Sequence, residues 1–471
     1  MKNLQAISLD GTPITLDQSI IEDFRNQLPG KILLEEDDKY DEARAVWNGM
    51  IDKHPALIVR CTVVDDIVKA INFARSHHLL LSIRGAGHNV AGNAVCEGGL
   101  MIDLSLMKAI HVDEETRIVR AEAGVTWNEL DKKTLLFGLA TTGGTVSSTG
   151  IAGLTLGGGV GWLMAKYGFT CDNLLSVEMV TALGEIITAS ENQNKDLFWA
   201  LRGGGGNFGV VTSFSYQLHP IGQTVLGGMV LFPMEQAKQV LSFYRDYADN
   251  SPDDLTAFAA LITTPDGLPV IAVIVGWFGA LADGNKYLEP LRQFGTPLAD
   301  LTGEIPYTQL QTVFDAACPY GMRRYWKSGF IPHLTDELQD IILKHDATRT
   351  SPLTTIIFFH IHGAAIRKGM GETAFCARKK QWDFDIISQW TDATEDDRQI
   401  NWTQTFWKEI EPFTQGVYVN HLDSDDGSIR VQSAFGNNYK KLVQLKSKYD
   451  VQNLFRLNNN IKPEKEGLQI S

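Results

Sequence analysis

Three glycine-rich stretches lie between residues 85 and 209: Gly85-Ala-Gly-His-Asn-Val-Ala-Gly92, then GGTVSSTGIAG (143–153) with LGGGVGW (156–162), then Gly203-Gly-Gly-Gly-Asn-Phe-Gly209. Glycine permits positive φ and lets a backbone approach a ligand closely. Successive backbone N–H groups in such loops form concavities for anions such as a pyrophosphate. Turns and tight sheet packing would account for one loop of this kind, but three point to the cradling of a dinucleotide. His88 sits inside the first loop, where imidazole is a competent nucleophile toward the electrophilic methyl group of an oxidised flavin. A solvated polar loop histidine is the plainer alternative.

The pattern is not that of a Rossmann dehydrogenase. That fingerprint needs GxGxxG after the first strand, opening a helix, with an acidic residue about 20 positions later. Gly85-x-Gly87 is followed by His88 and leads toward another strand, and residues 157–161 lie far into the chain. The 11 histidines include no HExxH, so no metal chemistry is expected. The five cysteines (Cys61, Cys96, Cys171, Cys318, Cys376) form no CxxC pair, disulfide framework or zinc site. Together with the absence of a basic, apolar leader, they lead us to expect a cytoplasmic protein in a reducing compartment. The apolar run 270–282, about 13 residues, is too short to span a bilayer. A formal charge of −14 argues against nucleic acid or an anionic membrane as partner.

The 471 residues are enough for two or three domains around a large core. Residues 1–50 are polar and acidic and are expected to wrap the surface. From Pro55 the pattern tightens. Residues 56–61 read as a strand, and Thr62 to Asp65 resembles a capping box opening a helix that buries Ile67, Ile71 and Ala74. Residues 79–84 form a second strand running into the first glycine loop. Residues 101–104 make a further strand, and 110–112 with 118–123 make a hairpin. A helix over 127–137 stops at Gly138. Strands at 177–181, 185–188 and 210–216 flank a helix over 196–202. Beyond His219-Pro220 the glycine clusters vanish, and longer apolar strands (225–232, 270–277, 355–362) alternate with helices (234–247, 336–345). This shift marks a domain boundary near 221. A last helix is expected over about 438–448.

Four motifs in order, RGAGHNVAGNAV (84–95), GLTLGGGVGWLMAKYGFTCDNLLSVEMVTA (153–182), DLFWALRGGGGNFGVVTSF (196–214) and YVN (418–420) with KYDVQNLFRLNNNI (448–461), carry a resemblance. The chain resembles FAD-linked oxidases of the vanillyl-alcohol oxidase superfamily, in the berberine-bridge-enzyme-like group, from about Trp47 to Pro463. The resemblance implies an α+β, two-lobed flavoprotein: an FAD-binding lobe of two α/β subdomains and a substrate lobe with an antiparallel sheet backed by helices. The implied divisions are an N-terminal segment (1–52), an FAD-binding domain (53–221), a substrate-binding domain (222–414) and a C-terminal segment (415–471) returning to the FAD lobe.

Position by position, it implies that His88 holds FAD covalently. Arg84, Gly85, Ala86, Gly87, Asn89 and Gly92 of the same loop would line the cofactor. So would Gly144, Thr145, Val146, Ser148, Thr149, Gly150 and Gly153, and Val210 and Val211. Asn458 and Asn460 would approach from the C-terminal segment. Many relatives make a second flavin bond through a cysteine in G-x-C-P-x-V-G. The aligned stretch, Gly144-Thr-Val146-Ser-Ser-Thr149-Gly150, has Val146 there, so one covalent link is expected; Cys171, in another motif, reads as structural.

The resemblance implies that Tyr418, in Tyr-Val-Asn, holds the position often given the base role, and that Asn420 orients it or hydrogen-bonds the flavin edge. A phenol, ordinarily near pKa ~10, needs positive charge or hydrogen bonds to act as a base. A buried strand tyrosine with a satisfied hydroxyl is the plainer alternative. His360 and His362 alternate with Phe358 on one strand and share a face; they and Tyr325 are candidate substrate contacts, or alternatively ordinary sheet and core residues. The implied reaction is oxidation of an alcohol or amine carbon of a small molecule by hydride transfer to flavin N5, with O2 as acceptor and hydrogen peroxide as product. An FAD dehydrogenase with another acceptor, or a catalytically silent flavin or small-molecule binder, remains open, as does the oligomeric state.

Overall fold

The computed structural model describes residues 3–464; residues 1–2 and 465–471 of the expected terminal segments lie outside the described residues. The fold is α+β with two lobes. The first lobe carries two sheets. One has four strands in the order Ile32–Leu33, Leu57–Arg60, Leu100–Asp103, Leu81–Arg84, the last three parallel. Parallel pairing requires a crossover, supplied by the helix Val64–Ser76, whose Ile67, Ile71 and Ala74 are buried as the spacing predicts. Asp66, not Asp65, caps that helix. Its carboxylate accepts from the N–H groups of Thr62 and Val63 at 2.9 and 3.1 Å, because the helix starts at Val64 and places Asp66 third.

The second sheet is antiparallel, in the order Ile186–Ser190, Leu174–Val180, Val210–Gln217, Ile118–Glu122, Ile110–Asp113. Residues 3–50 depart from the expected surface wrap. The helix Gln18–Gln27 buries Ile21 and Phe24, and Ala6, Leu16, Ile32 and Leu34 join the main core. The apolar residues of this segment are sparse but fall on one face, which is enough to dock it.

The second lobe is built on a large antiparallel sheet. Thr224–Pro233, Pro269–Trp277, Leu255–Thr263, Thr355–Ile361, Gln381–Trp390 and Arg323–Ile331 lie in that spatial order. Period-2 alternation splits its side chains. Ile356, Phe358, Phe384 and Ile386 pack with Val240 and Leu241 of Ala237–Asp249, Ile342 of Asp336–Asp346 and Phe406 of Asp396–Ile410. Ile357, Phe359 and Ile387 face the first lobe and merge with its core. Cover on both faces explains why these strands read as continuous apolar runs.

The chain then returns to the first lobe. Lys446, fully buried in the helix Tyr439–Tyr449, donates to Asp450 Oδ2 (2.7 Å), Asn207 O (2.8 Å) and Phe455 O (2.9 Å). One ammonium thus clamps the third glycine loop to the C-terminal segment. No described helix is long and apolar enough to cross a membrane.

Candidate functional site

A cavity of about 320 Å³ lies where the lobes face each other. Glycine loops from the first lobe, Ile357, Phe359 and Ile387 from the large sheet, residues 418–421, and Phe455 with 457–459 all line it. That size and mixed lining suit a ligand site.

His88 occupies one end. Its ring stacks on Trp47 at 5.0 Å and meets Tyr320 edge-on at 5.3 Å. Nε2 lies 2.8 Å from Ser148 Oγ, and Nδ1 lies 3.4 Å from Thr149 Oγ1. Burial, aided by the Arg324 guanidinium, pulls its pKa down to about 3. The ring is therefore neutral at physiological pH and keeps a nucleophilic lone pair. Arg324 is itself buried, lies over Trp47 at 3.6 Å, and donates to Trp47 O and Gln389 Oε1 at 3.0 and 2.8 Å. Tyr320 donates to Ala86 O. The second lobe thereby fixes the loop that carries His88.

Of the other expected cofactor residues, Gly85, Ala86, Gly87, Asn89, Thr145, Val146, Thr149, Gly150, Gly153 and Asn458 line the cavity. A Cβ at Gly153 would meet no protein atom within 4 Å, so that backbone faces open space. Asn458 donates to Gly206 O and Phe455 O, while its buried Oδ1 has no partner. Such a trough of bare backbone, with an orphaned amide oxygen beside it, fits FAD.

Seven expected residues are not on the cavity wall. Arg84 pairs with Asp103 at 3.2 Å, and Gly92 makes a positive-φ turn against Ile51. Gly144 accepts from Gln311 through its carbonyl. Val210 and Val211 are spent on sheet pairing with Val180 and Met179. Asn460 has a buried, unpartnered Oδ1 off the wall. Ser148 is off the wall and contacts His88 Nε2 through its hydroxyl. Cys171 is a buried free thiol beside Asp172 and Arg378.

Tyr418, 2% exposed, also lines the cavity. Its hydroxyl oxygen accepts from Gly159 N–H at 2.9 Å and Asn420 Nδ2 at 2.8 Å. Burial raises its pKa well above the ordinary phenol value, and the two donors, which favour the phenolate, offset that only in part, so the resting group is a neutral phenol. Gly159 reaches the phenol only because φ is +90° there. Asn420 sits so close to Gly157 that a Cβ on that glycine would lie 2.0 Å from Asn420 Oδ1.

The three tentative substrate contacts are corrected by the structure. Phe358 and His360 share a face, but it is the helix-backed one; Thr355, Ile357 and Phe359 line the cavity instead. His360 lies against Trp382, with Nε2 3.5 Å from Asp249. His362 stacks on His360 and donates from Nε2 to Leu255 O at 3.0 Å. Tyr325 points away too, donating to Asp425 and accepting from Gln404 at 3.0 Å. Its neighbour Trp326 lines the cavity.

Sequence reasoning missed a cluster beside Tyr418. His421 lines the cavity, stacked on Trp326 at 4.6 Å and edge-on to Tyr418 at 4.7 Å. Behind it, Asp383 and Asp385 are fully buried on one strand face. His421 Nδ1 lies 2.9 Å from Asp385 Oδ1 and 3.4 Å from Asp383 Oδ2. Burial alone would lower the imidazole pKa, but the two carboxylates outweigh it and carry it up to about 10. Burial and repulsion from Asp385 push Asp383 up to about 6. Trp326 Nε1–H donates to Asp385 Oδ1 at 3.0 Å, while both oxygens of Asp383 have no hydrogen-bond partner among the described residues, so the acids read as an ion-pair network that depends on the His421 charge. The i, i+2 spacing of the two acids, and a histidine directly after Tyr-x-Asn, were the available signals.

The comparisons with known proteins agree with this layout. The FAD binding domain family matches residues 55–190, and the berberine and berberine-like family matches residues 417–462. An FAD-linked oxidoreductase of Dictyostelium discoideum is 34% identical, over 94% of this chain and 97% of its own. (R)-6-hydroxynicotine oxidase of Paenarthrobacter nicotinovorans is 33% identical, over 58% of this chain and 60% of its own. The crystal structure of 6-hydroxy-D-nicotine oxidase from Arthrobacter nicotinovorans superposes with a TM-score of 0.85 at 27% identity, covering 93% of this chain and 98% of that one.

Proposed function

The chain belongs to the berberine-bridge-enzyme-like FAD-linked oxidoreductases of the vanillyl-alcohol oxidase superfamily, and from that premise we propose that it oxidises an alcohol or amine carbon of a small organic molecule, with O2 as acceptor. Bound FAD supplies the hydride-accepting ring. The chain's own residues hold that ring, exclude water from it and take the substrate proton.

The observation that carries this reading is the Tyr418 hydroxyl, held by Gly159 N–H and Asn420 Nδ2 on the wall of the same cavity that the His88 loop lines. Two donors aimed at one phenol oxygen stabilise negative charge there, which is what a base that cycles through phenolate needs. His88 is read as the single covalent anchor of FAD, supported by its neutral imidazole and by Val146 where a second anchor would need sulfur. The FAD-binding domain is taken as 53–221, the substrate domain as 222–414, and 415–471 as a return to the first lobe. A cytoplasmic location is supported by five cysteines that are all free thiols.

The test is anaerobic mixing of the flavin-loaded protein with a broad panel of alcohols and amines, then admission of air. Bleaching of the flavin absorbance followed by rapid recovery and peroxide release is expected. Slow recovery would assign another acceptor, and no bleaching by any compound would make the protein a binder.

A further inference from the structure

The His421 cluster has a direction built into it. Nδ1 points back at the two buried carboxylates, the ring stacks on Trp326, and it meets the Tyr418 ring at a steep angle with centroids 4.7 Å apart. What remains is the Nε2 edge, which has no partner among the described residues on a side chain that lines the cavity and is 15% exposed. An imidazole fixed through Nδ1 by a carboxylate has its orientation and protonation set from behind. The other charges nearby are engaged elsewhere. Lys327 pairs with Asp425 and Asp426, and Asp423 accepts the Trp326 backbone N–H at 3.0 Å.

We infer that His421 is a further catalytic residue of the cavity: an imidazolium, oriented by Asp385 and Asp383, whose Nε2–H hydrogen-bonds the oxygen of a hydroxylated substrate as that oxygen becomes anionic. This rests on the reading of the cavity as the redox site and narrows it from alcohols or amines to alcohols and phenols. His421 keeps its proton throughout, and the substrate's proton leaves to the Tyr418 oxygen in its phenolate form, which the Gly159 and Asn420 donors favour. An ammonium substrate would set two donors face to face, whereas an alkoxide or phenolate accepts from Nε2. A preorganised charged donor strengthens as charge develops, without reorganisation. Asp383 and Asp385 are positioning residues, since His421 and Trp326 lie between them and the cavity wall.

The experiment uses the flavin-loaded protein with 4-nitrophenol, whose absorption reports its own ionisation. Wild type is expected to bind the probe as phenolate at a pH where the free probe is largely neutral. His421→Phe should lose about 10–100-fold in affinity and bind only the neutral form, the size expected for a hydrogen bond to a charged group. Asp385→Asn should move the bound probe's ionisation toward neutral without removing the ring, a shift that a purely structural role would not produce. Should His421→Phe fail to fold, a nitrogen-15 titration of the wild-type imidazole serves instead, and His421 is expected to stay protonated through neutral pH. Equal ionisation of the probe in wild type and variant, no binding by wild type, or a neutral His421 at pH about 7 would each overturn the inference. All these readouts are independent of flavin reduction, so the redox reading stands or falls separately, on the substrate panel.

Discussion

Ser148 Oγ lies 2.8 Å from Nε2 of His88, while among the described residues the only partner of Nδ1 is Thr149 Oγ1 at 3.4 Å. The stronger contact holds one nitrogen and leaves the other, on a neutral ring, less engaged. Flavin attachment is expected to use this histidine alone. The purified protein should stay yellow after acid precipitation, and mass spectrometry should find one adduct, on the His88 peptide. A cysteinyl adduct is not expected, because Val146 carries no thiol. Fully acid-extractable flavin would sink the single-link reading.

Gly157 and Asn420 are in closer contact than any side chain would allow. In Gly157→Ala the new Cβ would sit 2.0 Å from Asn420 Oδ1, so Asn420 must move and its donation to Tyr418 is lost. Flavin reduction should slow by about 10²-fold, the size of removing one preorganised donor, with flavin still bound. Gly153→Ala is the contrast. Its Cβ meets no protein atom but projects from the cavity wall, so flavin loading rather than chemistry should suffer. Stopped-flow reduction and flavin-to-protein ratios separate the two.

How much of this was legible in the sequence depended on whether a local pattern decided the outcome. The glycine loops, the crossover helix and the apolar strands were readable because spacing alone specifies them. Which sheet face meets the cavity was not. Phe358 and Phe359 are both aromatic on a strand covered on both sides, so nothing local says which one points inward, and His360 and His362 went with the wrong face. Trp47 and Trp326 were equally silent, since their roles arise from contacts between residues hundreds of positions apart.

Stability should depend on pH through the His421 cluster. His421 is raised in the folded state, to about 10, above about 6.5 when unfolded. Its contribution is full below the unfolded value and is lost as pH rises through about 10. Asp383 is also raised, to about 6, so stability falls as pH climbs from its unfolded value, about 4, toward 6. Urea midpoints for wild type should therefore drop between about pH 6.5 and 10, and His421→Gln should flatten that window. An identical slope in the variant would contradict the assignment.

Lys446 tests the clamp between the third glycine loop and the C-terminal segment. Lys446→Met removes three donated hydrogen bonds and leaves Asp450 buried without its cation. A loss of about 3–5 kcal/mol is expected, as for breaking a buried pair from one side. Because the clamped loop presents Asn207 and the segment presents Asn458 to the cavity, flavin retention should fall along with the denaturation midpoint.

Tyr418→Phe separates base from scaffold. The substitution keeps the ring and its edge contacts with His421 and Phe375, and removes one hydroxyl. Gly159 N–H and Asn420 Nδ2 lose their acceptor at that point, which costs about 1–3 kcal/mol of stability if nothing replaces it. The fold and flavin should survive that loss. Flavin reduction by an alcohol should fall by about 10²–10⁴-fold, the reach of a positioned acid–base group. With an amine the fall should be smaller, because a neutral amine releases hydride without a strong base. Substrate affinity should change less than rate, since the proton acceptor acts mainly in the transition state. The limb of the pH–rate profile that reports phenol ionisation should disappear in the variant, while the His421-dependent shift of the 4-nitrophenol probe should persist. Unchanged reduction kinetics would move the proton acceptor away from Tyr418, and a lost probe shift would mean that the phenol, not the imidazolium, sets the charge of the cavity.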